Sequence, residues 1–467
     1  MKFYRNAIIL IAVLALLVAA YFLVINKSDD NGSEQSGADT ETIRVSDYKA
    51  EDVKKIIIEN QDEKLEFEKK DEKWGLSSPA DLKVNADSVT GMATEVTGLI
   101  ASKIVDEDSS DVKKYGLDAP QLLITVILND DTSRVIELGN QTPMGDGYYA
   151  KEKDKAKVYV ISKYVGEKLL NAKNNVRDKT IFSGNAEDIV SISMERGGSL
   201  VYSAEKQDES TWNLTAPIEG SVNVDSVGKM VDAVANVTVA DFVEEKPSDL
   251  GKYGLASPAY SLEYETAKDG KIKLMLGTLN KDTYRFYAKL GSSDEVFQID
   301  STAFDFLDKP LKEIVDVFVY IVNISDVSRI VVDMDGKTTT CDIETDKDND
   351  NDKDKFTVNG KDATMKDEND KQPFRKFYQA LIGLTLDDVE IGAVPQGEAE
   401  ITFTYYLRKA PNRMTVEFIP KDDNYYYVVK NGKYSNIVIR KDKFDQTESV
   451  RDTYNKLMEA LDKEQNQ

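Results

Sequence analysis

The strongest candidate for a chemical site in this sequence is an acidic run, residues 344–354. Within it, Asp346, Asp348 and Asp350 have the one-three-five spacing of the ligands in an EF-hand calcium loop. The rest of that loop is missing, because asparagine replaces the turn glycine and Thr357 replaces the bidentate glutamate. We therefore predict a solvated hairpin insertion that binds calcium weakly at most, and no metal site.

Other catalytic chemistry has little support, since the chain contains no histidine and one cysteine. Ser-His-Asp triads, Cys-His pairs and histidine metal ligands are therefore excluded. Cys341 lies in an alternating stretch and is predicted to be a small strand residue rather than a nucleophile. No glycine-rich phosphate-binding motif follows a strand. Carboxylates are numerous, but no position marks a glycosidase pair. We predict a protein that is not an enzyme, with no catalytic or cofactor-binding residues and no cofactor.

Two motifs occur twice in the chain. They are Trp-x-Leu-x-x-Pro, at 74–79 and 212–217, and Tyr-Gly-Leu-x-x-Pro, at 115–120 and 253–258. The two copies of each motif are separated by the same distance along the chain, which we call the repeat period. A fixed period with fixed internal spacing indicates a duplicated folding unit. Aromatic residues beside glycine could form a ligand platform, but recurrence at matched positions favours a structural role. We expect the Trp and Tyr side chains to fill the core of each unit.

A third, divergent copy follows. Ile391-Gly392 stands one repeat period after the second Tyr-Gly pair, Phe356 is the nearest counterpart of the tryptophans, and the proline has moved to Pro395. The predicted division is a membrane anchor at 1–26, a flexible linker at 27–45, repeat units at 46–182 and 183–320, and a divergent third unit at 321–467.

Each unit shows the same succession of patterns. An alternating stretch with a polar turn predicts a β-hairpin, a 3.6-residue apolar period predicts a helix, further alternation predicts an antiparallel meander, and a short helix closes the unit. The helical stripes are Val89, Met92, Val96, Leu99 and Ile100; Val227, Met230, Val231, Val234 and Val237; and Phe374, Phe377, Tyr378, Leu381 and Leu384. The predicted class is α+β, with an N-terminal transmembrane helix followed by tandem units of antiparallel sheet with helices.

The transmembrane prediction rests on an unbroken apolar run from Ala7 to Ile25. This run is close to the length of helix that crosses a bilayer. Lys2 and Arg5 precede it, which favours a cytoplasmic N-terminus and places residues after about 27 outside the cell membrane. A cleaved signal peptide is the alternative. Its apolar core is usually only about 7–15 residues long, so we expect an uncleaved, single-pass anchor.

The charge of the chain limits its partners. The net charge is −24, which argues against nucleic acid because phosphates would be repelled. A single cysteine excludes an internal disulfide and suits a bacterial surface better than a eukaryotic secreted protein.

The polar tether, the two repeated motifs and the segment Arg177-Asp178-Lys179-Thr180-Ile181-Phe182 together resemble the bacterial domain of unknown function 4340 family. The resemblance covers about residues 45–320 well and the remainder loosely. Members of that family are often encoded beside gliding-motility-type ABC transporter components, which implies an accessory role at the cell envelope. The family has no assigned catalytic residues, so the resemblance adds none.

Two functional hypotheses follow. The first is a non-enzymatic, membrane-anchored extracytoplasmic scaffold or accessory protein that contacts an ABC-type transporter or another partner at the cell envelope. The alternative is an extracytoplasmic ligand-binding or hydrolytic protein that acts on cell-wall glycans. Neighbouring transporter genes would favour the first, and wall-synthesis genes the second.

Overall fold

The computed structural model describes residues 43–268, 270–346, 353–367 and 371–465. The chain divides after Asp178 into two compact units. In the described residues, the first unit contains one antiparallel sheet and the second unit contains two. We call these the first, second and third sheets, and the chain segments that form them the first, second and third repeats.

The first sheet has the strand order β3-β2-β1-β5-β6-β7-β8-β4. Its strands are β1 Val53–Glu59, β2 Lys64–Lys70, β3 Lys73–Ser78, β4 Lys103–Asp106, β5 Leu122–Leu128, β6 Ser133–Gln141, β7 Gly147–Glu152 and β8 Val158–Ser162. Its helices are Ala86–Thr97, Lys163–Leu170 and Ala172–Val176.

The second sheet repeats this order with one additional edge strand, as β12-β11-β10-β9-β14-β15-β16-β17-β13. Its strands are β9 Ile189–Arg196, β10 Ser199–Lys206, β11 Trp212–Ala216, β12 Gly220–Ser221, β13 Asp241–Glu244, β14 Tyr260–Thr266, β15 Gly270–Asn280, β16 Arg285–Leu290 and β17 Val296–Asp300. Its helix is Val224–Asn236.

The third sheet has the order β21-β20-β19-β18-β23-β24-β25-β26-β22. Its strands are β18 Val327–Met334, β19 Lys337–Glu344, β20 Lys355–Val358, β21 Lys361–Asp362, β22 Asp388–Val389, β23 Ile401–Leu407, β24 Arg413–Pro420, β25 Tyr425–Lys430 and β26 Lys433–Arg440. Its helices are Pro373–Ile382 and Val450–Gln465.

In every repeat the predicted hairpin and the predicted meander merge into one sheet. The first hairpin strand pairs antiparallel with the first meander strand, through Ile56↔Val126 in the first sheet and Ile192↔Tyr264 in the second. The third sheet has the equivalent pair Ile330↔Tyr405. These paired side chains are all buried, so the join lies at the centre of each hydrophobic core.

The predicted helical stripes are buried against one face of each sheet, and only Ile100 is mostly exposed. The helix ends at Thr97, before Ile100. The helices Ala86–Thr97 and Val224–Asn236 have the N-caps Asn85 and Asn223. Each asparagine side chain accepts a backbone N–H from the third residue after it, which satisfies a free donor of the first turn.

The predicted α+β class with an N-terminal transmembrane helix is wrong. Antiparallel strands dominate the described residues, and the helices are additions to one face of each sheet. Within that part of the chain, no helix is long and apolar enough to cross a membrane. The segment 7–25, for which the membrane helix was predicted, lies outside the described residues. The physical reason is that a 3.6-residue apolar stripe is conspicuous in a sequence, whereas strands as short as β12 and β21 carry almost no period.

Candidate functional site

The described ends of the acidic run serve the fold. Asp354 is buried, and its carboxylate accepts hydrogen bonds from the guanidinium of Arg375 and, at 2.7 Å, from the backbone N–H of Asp346. Thr357 lies in strand β20. Asp348 and Asp350 lie outside the described residues. Among the residues that the structure describes, no group of three or more potential metal ligands occurs.

Cys341 has no features of a nucleophile. Its side chain points into the third core from strand β19, where it is 1% exposed. Burial raises the pKa of the thiol to about 12, and the nearby Asp342 carboxylate adds to this effect. The thiolate is the reactive form of cysteine, so this side chain is inert at neutral pH.

The tryptophans of the first motif lie at the margin of the core rather than at its centre. Trp74 and Trp212 are each half-buried on strands near the edge of their sheets, and they pack against the core clusters. The expectation that they fill the core is therefore too strong. Phe356, the counterpart in the third repeat, is fully buried and stacks on Phe374 at a ring-centroid distance of 4.4 Å.

The tyrosine of the second motif is the last residue of a short 3-10 helix, and the glycine after it has a left-handed backbone conformation. Gly116 has φ of 70° and Gly254 has φ of 71°, a conformation that side chains disfavour. The repeated Leu-Gly pair completes the contact. A β-carbon on Gly277 would lie 2.2 Å from the backbone oxygen of Tyr253. Both glycines are therefore required so that the turn can lie directly on the sheet.

The same turn places tyrosine beside an acid and a lysine. In the second repeat, Tyr253 donates a hydrogen bond of 2.6 Å to Glu244, and Lys252 forms an ion pair of 2.6 Å with the same carboxylate. The Tyr253 ring packs on Tyr287 at 5.0 Å. Hydrogen bonds from Lys252 and then Tyr253 hold the pKa of the Glu244 carboxyl below its ordinary value.

The first repeat has the same three groups. Tyr115 donates to Asp106 at 3.1 Å, Lys114 pairs with Asp106 at 3.2 Å, and the Tyr115 ring packs on Tyr149 at 4.8 Å. We call these groups the tyrosine–acid clusters. In both clusters the tyrosine hydroxyl and the lysine ammonium bond to the acid, and these bonds hold the turn against the sheet. The clusters therefore have a structural role.

The third repeat departs from this pattern. Gly392 has open space around it, and Ile391 is 54% exposed where the earlier repeats bury a tyrosine. Another cluster forms instead. Glu390 accepts hydrogen bonds from Tyr427, at 3.3 Å, and from Lys421.

Backbone contacts that the sequence motifs do not predict link the end of the first repeat to its own helix. Val176 is buried, and its carbonyl accepts a hydrogen bond of 2.9 Å from the N–H of Asn85. The N–H of Asp178 donates to the carbonyl of Lys83 at 3.0 Å. The segment around Val176 and Asp178, which follows the last strand of the sheet, therefore lies beside the start of the helix Ala86–Thr97.

The second repeat does the same one repeat period later. The carbonyl of buried Ile314 accepts from Asn223 at 2.7 Å, and Asp316 N–H donates to Ser221 at 2.9 Å. The sequence signal is an aliphatic residue two positions before an aspartate, repeated at the period of the other motifs. One such pair is common in any sequence, and only its recurrence at the repeat period distinguishes it.

A large cavity lies in the second unit, between the helix Pro373–Ile382 and the segment before and at the start of the helix Val450–Gln465. Its volume is about 850 Å³. Among the described residues that line it, five side chains are basic and one is acidic: Lys366, Lys371, Arg375, Lys376 and Lys443, with Glu448. No catalytic residue was predicted here, and these lysines belong to none of the repeated motifs.

The comparisons with known proteins agree with the repeats. The model of the family described as "Domain of unknown function (DUF4340)" matches twice, over residues 74–223 and 212–400. The two matches begin at Trp74 and Trp212, one period apart. No curated protein and no solved structure matches the chain. Because the two matches together cover more than half of its length, this chain belongs to the DUF4340 family.

Proposed function

We propose that this chain is a non-enzymatic scaffold or accessory protein of the bacterial cell envelope. The observation that supports this role is how the repeated residues are used. The tyrosine–acid clusters and the aliphatic-x-aspartate segments each bond within their own repeat. Residues that recur in this way hold the shape of each repeat. The similar surfaces of successive repeats are suited to contact with other proteins.

Several features support a non-catalytic role. The chain has no histidine, its one thiol is buried, and the carboxylates of the described clusters are bound to cations or hydroxyl groups. A general acid or base must reach the proton that it transfers. Carboxylates held in this way are poorly placed to do so.

The proposed location is the outer side of the cell membrane, with the chain attached through its apolar segment 7–25. Lys2 and Arg5 before this segment support that orientation, and the net charge of −24 suits a soluble part held away from anionic lipid. The proposed partner is an envelope protein. An ABC-type transporter is the candidate that the family resemblance implies.

The test is crosslinking in living cells followed by purification from membranes. The full chain is compared with a variant lacking residues 7–25, which keeps every described residue. We expect the full chain to capture transporter or other envelope subunits and the shortened chain to lose them. Equal capture by both variants, or capture of cytoplasmic proteins alone, would contradict the proposal.

The alternative, a protein that binds or hydrolyses cell-wall glycans, is favoured by the cavity of about 850 Å³. Small-molecule sites commonly have volumes of about 300–1,000 Å³. An activity screen against peptidoglycan and common glycosides separates the two functions. Specific turnover that is lost on replacing one Asp or Glu would establish the alternative.

A further inference from the structure

The cavity beside the helix Pro373–Ile382, which we call the basic cavity, is lined mainly by basic side chains among the described residues, although the chain as a whole is acidic. Over the whole sequence, 84 acidic residues outnumber 60 basic ones, whereas five of the six charged lining residues that the structure describes are basic. At least two of these cations already have acidic partners. Arg375 binds Asp354, and Lys443 lies 2.9 Å from an oxygen of Asp387. Glu448 is the one acidic side chain among the described residues of the lining.

Two lysines carry the remaining charge. Within the part of the chain that the structure describes, neither Lys371 nor Lys376 forms an ion pair, although Asp452 attracts Lys376 electrostatically. Asp452 is itself paired with Lys456 at 2.6 Å. Asp367 also lies beside Lys371, since its carboxylate accepts the Lys371 backbone N–H at 2.9 Å. Within the described residues, Lys371 and Lys376 are nonetheless the lining cations that a bound anion could pair with.

The other lining groups restrict the class of ligand. Gln379 and Thr447 supply uncharged hydrogen-bonding groups, while Ala380 and Leu384 add apolar surface. Lysine binds phosphate as a point charge, whereas a planar carboxylate is best recognised by the fork of arginine. The one arginine of the lining, Arg375, already donates to Asp354 and Gln372. A phosphate group therefore fits the available donors better than a carboxylate.

We propose that this cavity binds a small phosphorylated organic molecule. Lys371 and Lys376 attract its phosphate, and the surface of Ala380 and Leu384 receives its carbon skeleton. This binding site goes beyond the scaffold role, and its failure would leave that role unaffected.

The test is calorimetric titration of the full chain in detergent with glycerol phosphate at low ionic strength, where charge interactions are least screened. The site variant is Lys371→Glu/Lys376→Glu. The control is Lys229→Glu/Lys246→Glu, which makes the same change of charge at exposed lysines outside the cavity. We expect saturable binding that the site variant weakens at least about tenfold and the control leaves nearly unchanged.

Hydrogen exchange supplies a second measurement, with ligand-dependent protection expected at residues 443–453. A short glycerol phosphate oligomer distinguishes the source of the ligand. Tighter binding of the oligomer indicates an envelope phosphodiester polymer, and tighter binding of the monomer indicates a free metabolite. The proposal is overturned if glycerol phosphate does not saturate, if sulfate binds equally well, or if both double variants bind alike.

Discussion

The backbone oxygen of Tyr253 lies so close to Gly277 that a β-carbon on the glycine would approach it to 2.2 Å. The corresponding distance from Gly139 to the oxygen of Tyr115 is 2.3 Å. Side chains do not tolerate such contacts with backbone atoms. The spacing of the Leu-Gly and Tyr-Gly pairs is therefore explained by direct packing of a turn on a strand.

Gly277→Ala should destabilise the second unit by about 1–3 kcal/mol, because the turn must move away from the sheet. Gly228→Ala is a suitable control. Gly228 is exposed within the helix Val224–Asn236 and has open space around it. Alanine there should stabilise the unit by about 0.5–1 kcal/mol. Urea denaturation followed by circular dichroism measures both changes, and equal effects would refute the packing explanation.

Tyr253→Phe should weaken the second unit at neutral pH and have less effect in acid. The hydrogen bonds from Lys252 and Tyr253 lower the folded pKa of Glu244 below its ordinary value of 4.5. A lowered carboxyl pKa gives stability that is fully present above the unfolded pKa and is lost as pH falls through the folded pKa.

Denaturation midpoints of the wild type and Tyr253→Phe, measured from neutral pH to about pH 3, test this linkage. The difference between the two proteins should shrink as the pH falls below 4.5. Tyr284→Phe is the control, because Tyr284 is 69% exposed and its hydroxyl has no hydrogen bond within the described residues. A difference that is constant across pH would show that the hydroxyl does not act through Glu244.

Ile314→Ala should destabilise the second unit by about 2–5 kcal/mol. The substitution leaves a cavity where the segment after the last strand of the second sheet packs beside the start of the helix Val224–Asn236. Ile314 is fully buried, whereas the nearby Ile321 is 56% exposed. Ile321→Ala should change stability by less than about 0.5 kcal/mol. Comparable losses in the two variants, measured by thermal and urea denaturation, would argue that the aliphatic-x-aspartate segment has no special role.

Phe356→Ala should cost more than Trp212→Ala, although tryptophan is the larger residue. Removal of a fully buried aromatic side chain costs about 3–5 kcal/mol, and half-burial reduces the loss. Phe356 is 0% exposed and stacks on Phe374, whereas Trp212 lies at the margin of its core. Chemical denaturation of both variants gives the order, and a larger loss for Trp212→Ala would contradict the structure.

Cys341 should resist thiol reagents in the native protein and react fully in denaturant. Its thiol is buried and has a pKa of about 12, so little thiolate exists below that pH. Absorbance-based labelling at neutral pH measures the rate. Fast labelling of the folded chain would mean that the third core opens readily.

Much of each repeat could be predicted from local patterns. The apolar stripe of Val227, Met230 and Val234 predicts a helix that the structure contains. Long meander strands such as β5 and β14 were also expected. Very short strands, including β4, β12 and β22, were not, because segments of this length carry no readable period.

The basic cavity could not be predicted from the sequence, for a different reason. Lys371 and Lys376 lie far from Lys443 in the chain. They line the same space only because the helix Pro373–Ile382 packs beside the start of the helix Val450–Gln465. Isolated lysines in a highly charged chain show no spacing that distinguishes a binding group from a solvated one.

The sequence by itself determined the repeat period, the order of hairpin, helix and meander, and the family, because these depend on local patterns and their recurrence. Only the tertiary structure decided that each hairpin joins its meander in one sheet, that Tyr253 meets Glu244, and that basic side chains surround a cavity. Such contacts depend on how distant segments pack, and local propensity does not encode the partner of a strand or a side chain.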